Sequence, residues 1–253
     1  KLNMDTKKQR NKYSSAKHTG RMAIFSLFCA AAGVYAADTD GWKYKDAEKT
    51  VIENTGTSNV PRIAPIAKDG KFDDDSSIGS VSKIEMSGKA DFVYDIPSLK
   101  DDPLNGIIFD GISNSLEMTA GSSLNVDASI ARDGKATDGR DAVGIEFSAD
   151  AESAIITGSG VVDVKASKNA TAISGNNIDS IDAKSISAEG VKEGNASTVI
   201  VGGNVGNISA ETISAKAETG NAVALNVSGN ASDITVGDLT ASSTNGESVA
   251  LNV

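Results

Sequence analysis

The residues best equipped for chemistry fall in one loop. Arg132-Asp-Gly-Lys-Ala-Thr-Asp-Gly-Arg-Asp141 places Asp133, Asp138, Arg140 and Asp141 close together. Clustered Asp with Arg or Lys is what a polysaccharide lyase or hydrolase would use. Glycosidic cleavage needs two carboxylates at fixed separation, one with a raised pKa. Nothing local makes this loop dry enough to raise one, so it reads as a solvated turn. Asp73-Asp74-Asp75 offers oxygens of the kind calcium takes. The usual Gly-spaced calcium loop is absent, and the run reads as solvated charge. Asn-x-Ser/Thr triplets begin at Asn169, Asn195, Asn207, Asn226 and Asn230. In an Asn- and Ser-rich sequence they reflect composition and turn chemistry rather than glycosylation. No catalytic, cofactor-binding or metal-ligating residue is assigned, and the expectation is a protein that is not an enzyme and has no cofactor.

The positions of the sole His and sole Cys reinforce this. They are His18 and Cys29, both inside a leader with the parts of a secretory signal. A basic stretch ends at Arg21, the apolar run Met22-Ala-Ile-Phe-Ser-Leu-Phe-Cys-Ala-Ala-Ala-Gly33 follows, and Val34-Tyr35-Ala36 fits small-residue cleavage before Ala37. The run is about 12 residues, too short for a hydrocarbon core of roughly 30 Å. Phe28 is a poor residue to precede a lipidated Cys29. The mature chain is expected to have neither His nor Cys. That removes disulfides within the chain, His-dependent catalysis, Cys nucleophiles and ordinary zinc sites. The sequence opens on Lys1, with Met4 as the expected start.

Charge divides the same way. Residues 1–36 hold seven Lys or Arg and one Asp, a sum of +6, so the remainder carries −16 to reach the net −10. An acidic body argues against nucleic acid as partner, because phosphate contacts need clustered Lys and Arg.

The body divides near residue 104. Residues 37–104 hold all four prolines and the only Trp, and read as an irregular entry segment covering the first edge of something repetitive. Short strands are expected near Ser80–Met86 and Ala90–Tyr94, where apolar and polar residues partly alternate. Residues 105–253 repeat. Val223-Ala-Leu-Asn-Val227 returns as Val249-Ala-Leu-Asn-Val253, and Gly194, Gly220 and Gly246 recur at the same shift of 26. Ile173, Val199, Leu225 and Leu251 form one apolar column. Ile181, Ile208 and Ile234 form a second, and Ile186, Ile213 and Leu239 a third, each spaced 27 and then 26. The extra residue is expected in a turn at Val201–Asn204. Looser copies precede these: Gly106-Ile-Ile-Phe109 resembles Gly144-Ile-Glu-Phe147.

Such a period indicates a solenoid or array, and the local pattern selects the type. Thr212-Ile-Ser-Ala215 and Ile234-Thr-Val236 alternate apolar and polar, the signature of strands. One copy cannot bury its apolar face alone; stacked copies form continuous ladders. The expected fold is all-β: a right-handed parallel β-helix with coils of about 26 residues, after a signal peptide (1–36) and an N-terminal cap (37–104). Five coils about 4.8 Å apart give a rod roughly 24 Å long. A barrel or sandwich would need hairpins, and disorder would not align apolar columns.

The basic leader, irregular entry and Gly/Asn/Ser-rich β-repeats such as Asn207-Ile-Ser-Ala-Glu-Thr-Ile-Ser-Ala215 resemble the start of an autotransporter passenger of type V secretion. The likeness covers most of the chain and is one of style. It implies export to the cell surface, outer membrane or medium, and an outer-membrane translocator barrel beyond Val253 or on a separate chain. It also implies a possible ligand on a host surface or neighbouring cell. A two-partner-secretion adhesin is similar, with residues 37–104 then acting in targeting. Three function classes stay open: a structural or adhesive stalk, a carbohydrate-active enzyme on a solenoid, and a secretion module whose effector lies beyond residue 253.

Overall fold

The structure is a computed structural model that describes residues 42–44, 51–54, 57–58, 66–67, 82–94, 103–109, 111–131 and 139–253. The leader, Asp73–Asp75, Asp133 and Asp138 lie outside the described residues. Among the described residues all regular structure is β. The first strands are β1 (Trp42–Tyr44), β2 (Val51–Asn54), β3 (Thr57–Ser58) and β4 (Ile66–Ala67). Then come β5 (Lys83–Met86), β6 (Lys89–Tyr94), β7 (Leu104–Phe109), β8 (Ser113–Met118), β9 (Ser123–Ala131) and β10 (Ala142–Phe147). They are followed by β11 (Ser153–Gly158), β12 (Val161–Ala166), β13 (Ala170–Gly175), β14 (Ile178–Gly190) and β15 (Ala196–Val201). The last four are β16 (Val205–Ala217), β17 (Ala222–Val227), β18 (Ala231–Ser243) and β19 (Ser248–Asn252).

These strands form two sheets. Sheet A has 12 strands and sheet B has seven, in the order β19-β17-β15-β13-β10-β7-β4. Every pairing is parallel except β1 with β2. Sheet A has two arms, one through β2, β5, β8 and β11 and the other through β3, β6, β9 and β12, and β14 belongs to both. Each turn of chain therefore lays a strand on one arm, a strand on the other, then a strand on sheet B. This is the stacked parallel architecture of a β-solenoid.

The residue pattern explains the corner between the arms. In β16, Val205, Ile208, Ala210, Ile213, Ala215 and Ala217 are buried. Strict alternation would bury every second residue. Burial instead skips two residues at Gly206-Asn207 and again at Glu211-Thr212. The second skip moves the inward direction to the other arm without ending the strand. Two coils earlier the same corner is a true turn, between β11 and β12, and Gly158 takes a left-handed φ of 109° there. A side chain rarely adopts that conformation.

The core consists of ladders running across the coils. The longest joins Ile52, Ile84, Leu116, Ile156, Ile181, Ile208 and Ile234. A second joins Ala90, Leu124, Val162, Ile186, Ile213 and Leu239. On sheet B, Ile107, Ile145, Ile173, Val199, Leu225 and Leu251 align. All three columns read from the sequence are present, and each extends further upstream. Phe109 and Phe147 pair in register with their rings stacked at 5.1 Å. Removing such aliphatic and aromatic area from water is the main favourable term in the fold.

Register also places the extra residue. Gly175 pairs with Val201 at a shift of 26, whereas Ile178 pairs with Val205 at 27. The additional residue thus lies in the turn containing Gly202 and Gly203, whose N–H groups donate to Gly175 O and Asn176 O. Stacking also reaches into the segment read as an entry cap. β5 and β6 lie in register beside β8 and β9, and β2 lies beside β5. Antiparallel β1 lies at the first edge of sheet A, with Trp42 buried.

Candidate functional site

The loop singled out for chemistry joins β9 to β10. Arg140 is 4% exposed, so the expectation of a wholly solvated turn fails at this residue. At Arg140 the backbone is held against the next coil. Arg140 N–H donates to Ser167 Oγ at 2.9 Å, and Lys168 N–H donates to Arg140 O at 2.7 Å. Asp141 Oδ1 accepts both the backbone N–H and Nδ2 of Asn169, each at 3.0 Å. The carboxylate is thus engaged as a bracket between coils.

Asp141 heads a polar column. Asn169 Oδ1 accepts Asn195 N–H at 3.1 Å and Asn195 Nδ2 at 3.2 Å. Asn195 Oδ1 accepts Asn221 N–H at 2.8 Å, and Asn221 Oδ1 accepts Glu247 N–H at 2.9 Å. A second column links Asn177, Asn204 and Asn230 by the same backbone donation, at 3.1 and 3.0 Å. Each side chain satisfies a turn N–H of the next coil, which a buried or crowded backbone needs. Asn252 Nδ2 donates to Asn226 Oδ1 at 2.6 Å. Four of the five Asn-x-Ser/Thr asparagines, Asn169, Asn195, Asn226 and Asn230, therefore bond to an adjacent coil, Asn226 from within β17. The asparagine repeat was visible in the sequence; its bracing direction needed the register.

Charged residues on sheet A also stack. Lys216 Nζ lies 2.7 Å from Glu189, and Lys165 Nζ lies 3.4 Å from the same carboxylate. The hydrogen bond from Lys216 holds Glu189 below the ordinary carboxylate range, against the opposing effect of burial. That direction is opposite to what a general acid requires. Near the other end, Lys83 lies 2.6 Å from Glu117 and 2.9 Å from Glu85, and these hydrogen bonds raise its pKa. Such exposed pairs contribute modestly, and salt screens them.

A shallow cleft of about 430 Å³ is lined by residues including Glu189, Lys216, Glu218, Ser243 and Thr244. Two of its charged groups, Glu189 and Lys216, are already paired with each other. Among the described residues, no three His, Cys, Asp or Glu side chains are placed to hold a metal ion. What the site chemistry amounts to is a set of ladders that fix coil on coil.

No family model, curated protein or solved structure matches this chain.

Proposed function

We propose that this chain is the N-terminal part of an exported, autotransporter-like passenger whose β-solenoid serves as a structural or adhesive stalk at the cell surface. The observation that carries the reading is continuity. Apolar, amide and ion-pair ladders run from coil to coil, with the polar groups engaged in stacking. Such construction yields a stiff spacer, each coil supporting only its neighbours. The right-handed sense follows the usual preference for parallel crossovers, and a coil of about 26 residues suits the β15–β17 register. The basic leader, apolar run and Val34-Tyr35-Ala36 support export. An adhesive stalk would meet a host-surface or neighbouring-cell ligand, and its delivery would use an outer-membrane translocator.

N-terminal sequencing of material exported by a Gram-negative host tests the reading. The mature chain should begin at Ala37 and be open to protease added outside intact cells. A cytoplasmic protein retaining Met22–Gly33 would refute it.

A further inference from the structure

Sheet B differs from sheet A in charge. The seven strands of sheet B carry one charged residue between them, Glu146. On sheet A, β14 alone carries Asp179, Asp182, Lys184 and Glu189. Burial opens at the second and fifth positions of β7, β15 and β17, so these positions form the outer face of sheet B. Ile108, Val143, Ile200, Val223 and Val249 stand in these two columns among Asn, Ser and Thr, with Glu146 the one charge on the face.

The chain beyond residue 36 carries −16, the difference between −10 and +6. Two such bodies repel wherever their charged faces meet. The outer face of sheet B is the exception, being nearly neutral, regularly spaced and partly apolar.

We propose that this face is an interaction surface for a second copy of the chain, the two packed sheet face to sheet face about a two-fold axis. A two-fold axis makes one patch self-complementary, and small side chains allow sheets to pack about 10 Å apart. Six strands of about 20 Å, spaced by about 4.8 Å, present on the order of 500 Å². A standard interface takes about 800 Å² from each partner. The pairing is therefore weak and reversible. Salt screens the repulsion between acidic bodies while the apolar burial persists, so association strengthens as salt rises.

Sedimentation equilibrium of the full chain, across protein concentration and at about 0.05 M and about 0.5 M salt, tests this. The expected result is a monomer–dimer equilibrium shifted toward dimer at the higher salt. Ile200→Glu with Val223→Glu sets like charges against each other and should weaken association at least about tenfold. Ser209→Glu with Ser214→Glu adds equal charge to sheet A and, at about 0.5 M salt where long-range repulsion is screened, should weaken association far less than the sheet B pair. If circular dichroism shows the first pair misfolded, Ser197→Glu replaces it, with the same loss expected. A monomer under every condition overturns the proposal. So does association untouched by the sheet B variants, which would point to pairing along the β18–β19 edge. Association that weakens with salt also overturns it, in favour of a basic leader gripping an acidic body.

Discussion

Replacing Leu225 by Asp tests the ladder on which the architecture rests. Leu225 is 0% exposed, with Val199 on one side in register and Leu251 on the other. Fully burying a leucine is worth about 2 kcal/mol, which the substitution forfeits. The new carboxyl has no partner there and must stay neutral or open the coil. Keeping it neutral at about pH 7, against an unfolded pKa of about 3.9, costs about 4 kcal/mol. The sum of roughly 6 kcal/mol compares with the whole stability of a typical domain, about 5–15 kcal/mol. The sign of its pH dependence follows. Burial raises the folded pKa above the unfolded one, so the ionisation cost is absent below about pH 3.9 and grows as pH rises. The variant should therefore recover most of that cost between about pH 7 and about pH 4. Asn226→Asp is the control. Asn226 faces outward, and an Asp there still offers an oxygen to Asn252 Nδ2. Its effect should stay within about 0.5 kcal/mol. Hydrogen exchange resolved by coil is the assay. Leu225→Asp should strip protection from β15, β17 and β19 and spare the coils containing β8 and β11, because coupling passes through neighbours only. Equal loss of protection in both variants would refute the assignment of inward and outward faces.

Gly194→Ala should destabilise by more than about 2 kcal/mol in chemical denaturation, because its Cβ would sit 1.7 Å from Lys168 O, a backbone atom with no side-chain freedom to yield. A neutral result would show that the corner backbone stacks less closely than described. For the ion-pair column, Glu189 should titrate below 4.5 by NMR, and Lys216→Gln should return it toward that value. Since the folded pKa is depressed, this pair's contribution is present above the unfolded pKa and is lost as pH falls through the folded one. An unchanged Glu189 titration in Lys216→Gln would remove the pair from the account.

Much of the later solenoid is legible in the sequence because its information is local and recurs at a fixed period. Ile173, Val199, Leu225 and Leu251 announce a ladder by spacing alone, and the turn at Val201–Asn204 announces its extra residue. The upstream coils hide the same ladders. Ser115 pairs with Lys83 at a shift of 32, and Ser153 with Ser113 at 40, so connections of unequal length erase any common period. Strand pairing tolerates this, since register depends on the strands meeting and not on the chain between them. Arg140 shows a second limit. A charged residue flanked by Gly139 and Asp141 reads as solvated, yet the adjacent coil covers it. The neutral face is a third. Val143, Ile200 and Val223 are scattered in sequence, and only the folding of each coil around its corners sets them on one side while the acids of β14 fall on another. Sequence determined which residues turn inward, because alternation is a property of neighbours. Tertiary structure decided which outward residues share a face, because that depends on where every corner falls.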